Sequence, residues 1–262
     1  MGDRTPAPTG PGDRETELMH ALASVRSRLA AAAEAAGRNV GEIELLPITK
    51  FFPATDVVTL SRLGCRAVGE SRDQEASAKV SEVTKLMAAS SRADIPHLRW
   101  HMVGHIQRNK ARSVARWANT AHSVDSSQLI GALDRGVSAA LGEGRRADPM
   151  RIYVQLSLDG DESRGGVDIS TPGVVDQLCD QVEESKHLEL AGLMAIPPLG
   201  SDPDAAFERL RTEHLRVLES HPNAVGLSAG MSDDFEVAVK HGSTCVRVGT
   251  ALLGPRPLPS PY

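Results

Sequence analysis

The chain has 262 residues, 40% of them hydrophobic and 24% charged, enough for one large or two small globular domains with a buried core. Its net charge of −5 sets aside nucleic acid and anionic membrane as main partners, and no apolar stretch approaches the roughly 18 residues of a membrane span. Aromatic residues make up only 3%, so the core must be built mostly from Leu, Val, Ile and Ala.

Residues 1–14 are rich in Pro and Gly and lack the apolar centre of a secretory signal, so they read as a disordered tail. Cys65, Cys179 and Cys245 are widely spaced and form no C-x-x-C pair, which indicates reduced thiols and a cytoplasmic protein. From Glu15 to Ala36 the apolar residues Leu18, Leu22, Val25 and Leu29 recur with a helical period, and Gly37 ends the run. An alternation then begins. Strand-like runs fall at 43–50, 66–70, 98–104, 120–125, 151–158, 188–196, 224–228 and 245–252. Helix-like stretches lie near 54–63, 73–88, 107–118, 127–141, 172–185, 204–220 and 232–240.

Eight strands alternating with helices predict a parallel sheet closed as a single (β/α)8 TIM barrel over 15–256, with an extra N-terminal helix and no C-terminal β-domain. An open doubly wound sheet is disfavoured because no G-x-G-x-x-G follows the first strand. Pro47 lies inside the first strand and cannot donate to a ladder, so a bulge or a locally unpaired position is expected there. Residues 257–262 read as an irregular tail.

In such a barrel the working groups sit at the carboxyl ends of the strands. The first run ends in Thr49-Lys50, the only lysine in any of the eight runs, between an apolar strand and Phe51-Phe52. Burial of that kind favours the neutral, nucleophilic amine; a lysine whose head snorkels at a strand end is the other reading. Ser228-Ala-Gly-Met-Ser232 precedes a helix and offers hydroxyls and backbone to a phosphate, although Ser232 could equally be a plain N-cap beside Asp233 and Asp234. Arg247-Val-Gly-Thr250 adds a second glycine-backed hydroxyl where such barrels usually bind phosphate. Arg247 and Thr250 would face opposite sides of the pleat unless the strand ends between them. His97, His101, His105 and His122 lack an accompanying carboxylate or cysteine set, and no metal site is expected.

These segments together resemble the pyridoxal phosphate homeostasis protein family, single-domain relatives of the alanine racemase N-terminal barrel. The resemblance rests on Leu45-Leu-Pro-Ile-Thr-Lys50, Gly69-Glu-Ser-Arg-Asp-Gln-Glu75, Trp100-His-Met-Val-Gly-His-Ile-Gln-Arg-Asn-Lys110, His122-Ser-Val-Asp125, Ser163-Arg-Gly-Gly166, Gly192-Leu-Met-Ala-Ile196, Leu227-Ser-Ala-Gly-Met-Ser-Asp-Asp234 and Gly242-Ser-Thr-Cys-Val-Arg-Val-Gly-Thr250. It implies that Lys50 holds pyridoxal 5′-phosphate (PLP) as a Schiff base. It further implies that Ser232, Gly249, Thr250 and the backbone at Met231 hold the phosphate, that Arg247 faces the pyridine nitrogen, and that His101, Met194 and Ser228 line the ring. Three positions depart from the family's pattern. Phe52 replaces a common second lysine, Ser71 replaces an amide that touches the cofactor, and Arg164 replaces a lysine before the Gly165-Gly166 pair.

The resemblance implies intracellular PLP homeostasis with little or no catalysis, and PLP-dependent apo-enzymes as partners of a monomer or at most a weak dimer. The alternative is a PLP-dependent amino-acid racemase. That activity needs a second acid/base on the opposite face of the cofactor, and Tyr153 and Tyr262 are the only tyrosines.

Overall fold

The computed structural model describes residues 11–89, 98–161 and 164–256. Helix α1 (Pro11–Ala35) is followed by β1 (Glu44–Pro47), α2 (Ala54–Arg62), β2 (Ala67–Glu70), α3 (Asp73–Ala88), β3 (Arg99–Met102), α4 (Ala111–Val114), β4 (Thr120–Val124) and α5 (Ser127–Gly142). The second half runs β5 (Met150–Ser157), β6 (Val167–Asp168), α6 (Pro172–Glu184), β7 (Leu188–Ala195), α7 (Pro203–Ser220), β8 (Gly226–Ser228), α8 (Phe235–Lys240), β9 (Cys245–Val248) and α9 (Thr250–Leu253). The strands are parallel neighbours in the order β1-β9-β8-β7-β5-β4-β3-β2, with the short β6 paired to β5. A bridge between Ile48 and Gly69 brings β1 back to β2. The expected (β/α)8 barrel is therefore the fold.

That seam explains Pro47. Glu44 N–H and Ile48 N–H donate to carbonyls beside β9, whereas Thr49 N–H donates to Gly69 beside β2. By alternation, the donor that Pro47 lacks would face β2, where the ladder is reduced to the Ile48–Gly69 bridge. No bulge forms, and Pro47 stays in register with Val248.

Outward-facing strand residues such as Val68, Trp100, Ile152, Val154, Leu193 and Leu227 join the helices in one large apolar core. The interior is different. A TIM barrel is ordinarily filled with branched aliphatic side chains, but here His101, His122, Tyr153, Ser228, Cys245 and Arg247 are buried along the axis. His122 on β4 reaches Ser228 on β8, and these strands are not neighbours, so the contact crosses the interior.

Helix α1 closes one flank. Leu18, Leu22, Val25, Leu29 and Ala33 recur at helical spacing and pack on Phe235, Val239, Leu252 and Leu253. Burying each of the larger side chains contributes about 2 kcal/mol before ordering costs. The helix begins at Pro11 rather than Glu15, taking in residues 11–14; residues 1–10 and 257–262 lie outside the described residues. A tertiary tie accounts for the earlier start, because Arg14 donates to Asp56 Oδ2 at 2.7 Å and to Leu253 O at 3.1 Å.

Two other elements depart from the sequence pattern. The helix expected over 107–118 is a 3-10 turn (Arg108–Lys110) followed by the single turn of α4. The strand expected over 245–252 stops at Val248, because Gly249 adopts φ −107°, ψ −81° and starts α9. No described helix is long and apolar enough to cross a membrane.

Gly192 and Gly226 lie opposite each other on β7 and β8. A Cβ at Gly192, whose φ is 144°, would sit 1.8 Å from Gly226 O, and one at Gly226 would sit 2.7 Å from the Tyr153 ring. The pair makes room for a large ring inside the barrel. Gly192→Ala is expected to destabilise the protein by at least about 2 kcal/mol in urea unfolding; an unchanged midpoint would show that the two strands can separate without loss.

Candidate functional site

The carboxyl ends of the strands enclose a cavity of about 300 Å³. Its lining includes Ile48, Lys50, Phe51 and Phe52 after β1, Met231, Ser232 and Asp233 after β8, and Arg247, Gly249 and Thr250 around the end of β9. Val103, Ile196, Gly254 and Arg256 complete the wall. Because β9 ends at Val248, Arg247 and Thr250 face the same space despite their three-residue separation.

Lys50 is half-buried, and its pKa is lowered, first by burial and then by the positive charge of Arg256. Glu70 is the nearby carboxylate that opposes this shift, but it is committed elsewhere. It accepts from Thr49 Oγ1 at 2.6 Å and from Lys79 Nζ at 2.7 Å, and Lys79 also donates to Thr49 O at 2.8 Å. Lys79 therefore neutralises the buried acid and leaves Lys50 without an ion pair among the described residues. The residue after it, Phe51, has φ 71°, an uncommon conformation for a bulky side chain. Its ring lies between the guanidiniums of Arg72 and Arg256, at 5.3 and 5.1 Å from the centroid.

Arg247 is 5% exposed and forms no ion pair with a described carboxylate. It donates to Ser228 Oγ at 2.6 Å and to Ala195 O at 3.0 Å. Ser228 Oγ lies 2.9 Å from His122 Nδ1, and His122 Nε2 lies 2.9 Å from His101 Nδ1. An arginine only donates, so the serine oxygen accepts from it. A neutral imidazole offers one donor and one acceptor, so one consistent pair of tautomers completes the chain from Ser228 through His122 to His101, whose buried Nε2 has no partner among the described residues. The Tyr153 ring stacks on His122 at 4.5 Å between centroids. This assignment requires two neutral imidazoles. Burial pushes His101 down to about 3 and holds His122 well below its ordinary value.

The structure thus brings Lys50, Met231, Ser232, Arg247, Gly249 and Thr250 into one cavity. Ser228 and His101 lie beneath it in the chain of hydrogen bonds that leads from Arg247. Met194 is buried against Tyr153 and Ala191 in the interior. Ser71 lines a separate surface hollow with His105 and Lys110. Ser232 does not cap α8, which is preceded by Asp234; its Oγ instead accepts from Ala251 N, in the first turn of α9, at 3.2 Å. Met231 N–H donates to Asp234 Oδ1 at 2.6 Å, so that backbone group is already occupied. Asp234 is thereby turned to the backbone, while Asp233 stays exposed at the cavity rim.

Helix α1 fixes this wall from behind. Arg28 donates to Ser232 O at 3.0 Å and to Glu236 Oε1 at 2.7 Å, with its guanidinium 4.5 Å from the Phe235 ring centroid. The sequence reading missed Arg28, Lys79 and Arg256. Glu70 stood within a quoted motif, but nothing in the sequence pattern pairs it with a lysine on α3.

A closed parallel barrel with one depressed amine, two hydroxyls and a buried guanidinium at its carboxyl mouth defines a lysine-bearing α/β barrel suited to a small anionic ligand. The family described as alanine racemase, N-terminal domain, matches residues 21–257. The pyridoxal phosphate homeostasis protein of Mycobacterium leprae is 72% identical, across 95% of this chain and 97% of its own. The protein of the same name from Escherichia coli K12 is 32% identical, across 92% of this chain and 97% of its own. Among solved structures, PipY of Synechococcus elongatus with PLP bound superposes with a TM-score of 0.74 and 32% identity, covering 90% of this chain and all (100%) of that one. The chain belongs to the pyridoxal phosphate homeostasis protein family, within the larger group of alanine racemase N-terminal barrels.

The two neutral histidines carry a pH dependence of known sign. Unfolded histidine titrates near 6.5, so between that pH and about 3 the unfolded chain binds a proton that folded His101 refuses. This stability is complete above about pH 6.5 and is lost as pH falls below it. The urea midpoint is expected to fall between pH 7 and pH 5, and less steeply in His101→Gln. An equal slope in the two proteins would contradict the neutral assignment.

Proposed function

We propose that this protein binds PLP as a Schiff base on Lys50 and serves in PLP homeostasis, holding the cofactor rather than turning over substrates with it. The observation that carries the proposal is the shared cavity, lined by an unpaired lysine of lowered pKa, the hydroxyls of Ser232 and Thr250 and a buried arginine. PipY binds PLP, and relatives up to 72% identical are pyridoxal phosphate homeostasis proteins, which supports the reading.

The residues present fit the group. The lowered pKa gives Lys50 a larger fraction of neutral amine, the form that would react with the aldehyde of bound PLP. Ser232 accepts from Ala251 N, which leaves its hydroxyl proton free to donate into the cavity. The Thr250 hydroxyl, with no side-chain bond to a described residue, supplies a second donor, and Gly249 keeps the wall low. Met231 contributes through its position rather than through its N–H, which Asp234 holds. Arg247 uses donors on Ser228 and Ala195, and its remaining N–H groups suit a ring-nitrogen acceptor. Met194, Ser228 and His101 then act from below, by supporting the floor and Arg247.

Bound PLP supplies an aldehyde for amines and a ring that withdraws electrons. An arginine facing the ring nitrogen stays protonated and keeps that nitrogen unprotonated, which weakens electron withdrawal. Among the described residues that line the cavity there is no histidine, tyrosine or cysteine to serve as a second proton carrier. Tyr153 is packed on His122 in the interior. These features favour a carrier over a racemase, with PLP-dependent apo-enzymes as recipients.

Purified protein incubated with PLP is expected to show a visible imine absorption band. Borohydride reduction is expected to fix the pyridoxyl mass on the Lys50 peptide, with no adduct there in Lys50→Ala. A colourless protein, or label only on other lysines, would overturn the reading. Ser232→Ala combined with Thr250→Val removes two hydroxyl donors to a charged ligand and is expected to weaken PLP binding by at least about tenfold, measured by equilibrium dialysis.

A further inference from the structure

The opposite, amino-terminal mouth of the barrel holds a second cavity, of about 680 Å³, within the size range of small-molecule sites. Its lining includes five arginines, Arg26, Arg38, Arg66, Arg99 and Arg151, against two acids, Glu42 and Glu44. In a chain of net charge −5 this is a strong local reversal of sign. Two of the arginines are neutralised, Arg99 by Glu44 and Arg151 by Glu189. The other three form no ion pair with a described carboxylate. Arg38 is fixed by the carbonyls of Val239 and Ser243, at 3.0 and 2.7 Å, and Arg26 by the carbonyl of Leu63 at 3.1 Å. The Arg66 guanidinium makes no hydrogen bond or ion pair with a described residue, its backbone carbonyl alone accepting from Arg99 N–H.

The second, independent observation is Tyr153. It is 5% exposed, it lines this cavity, and its hydroxyl has no hydrogen-bond partner among the described residues. The ring is buried, but the hydroxyl is not among the buried atoms left without a partner, so it opens into the cavity and is free to donate to a ligand there. A free phenolic donor beside guanidiniums that outnumber the nearby acid Glu42 suits an anion with several acceptor oxygens.

We propose that the amino-terminal mouth of the barrel is a second ligand site, which takes a small phosphate dianion through Arg66, Arg26 and Arg38 with the Tyr153 hydroxyl as an additional donor. Phosphate is favoured over a single carboxylate because three guanidiniums against the one acid Glu42 leave more than one positive charge unmatched, and their forks match phosphate oxygens. The site lies across the barrel from Lys50 and is independent of the PLP proposal. Tyr153 stacks on His122, the middle member of the chain that supports Arg247, so the two mouths meet at one ring.

The test is isothermal titration calorimetry with pyrophosphate, against sodium chloride of equal ionic strength, on the full chain and three variants. Arg66 is exposed and can be changed without disturbing the core; Arg66→Ala is expected to weaken binding about tenfold, the loss of one charge-assisted contact. Tyr153→Phe keeps the stacked ring and is expected to weaken it about threefold. Arg135→Ala, which removes an exposed charge outside both cavities, is expected to leave this binding intact. Binding no stronger than in chloride, equal affinity in Arg66→Ala, or an equal loss in Arg135→Ala would each overturn the proposal. If Tyr153→Phe fails to fold by circular dichroism, Arg66→Ala and Arg135→Ala decide between the outcomes.

Discussion

A guanidinium buried in a protein interior without a carboxylate is unfavourable unless its donors are satisfied and its surroundings are polar. Arg247 is held in that way, by one serine hydroxyl and one strand carbonyl. Much of the barrel's unusual interior follows from accommodating it. Ser228 Oγ, which accepts from the arginine, is bonded in turn to His122, and His122 to His101. The ring of Tyr153 covers His122, and the paired glycines on β7 and β8 make room for that ring. A chain of single requirements thus runs from the carboxyl mouth toward the amino-terminal one.

The same economy of partners governs Lys50. A half-buried lysine near a buried glutamate would ordinarily form an ion pair and remain protonated. Here Lys79 and Thr49 satisfy Glu70, and the nearby charges of Arg256 and Arg72 push the Lys50 pKa down further. The amine is neither paired nor well solvated, the condition in which a lysine is a nucleophile. Helix α1 supplies the rigidity, since Arg28 and Arg14 tie it to the segments that carry Ser232 and α9. A site spread over two loops is in this way backed by a helix that precedes the barrel in sequence.

The fold was legible because eight apolar runs alternate with helical periods, and Lys50 stood out as the only amine among those runs. Strand ends mark the working groups of such barrels, so Arg247, Thr250 and Ser232 could be picked from their positions. What the chain did not display depends on register across the interior. Nothing local in the sequence links His122 to Ser228, which are 106 residues apart, or Glu70 to Lys79 rather than Lys50. Met231 entered the site only through the family resemblance, and nothing local in the sequence shows that the Asp234 carboxylate turns back onto its N–H. The strand drawn through Thr250 was too long because an apolar run of Ala, Leu and Leu follows Gly249, and apolar runs do not distinguish a strand from a buried helical turn. Pro47 looked disruptive only while its missing donor was assumed to face a complete ladder.

The most direct measurement is a crystal structure of the protein grown with PLP. The account predicts continuous density from Lys50 Nζ to the cofactor, its phosphate beside Ser232, Gly249 and Thr250, and Arg247 facing the ring nitrogen. PLP held on another lysine, or lying in this cavity with its phosphate away from those hydroxyls, would contradict it.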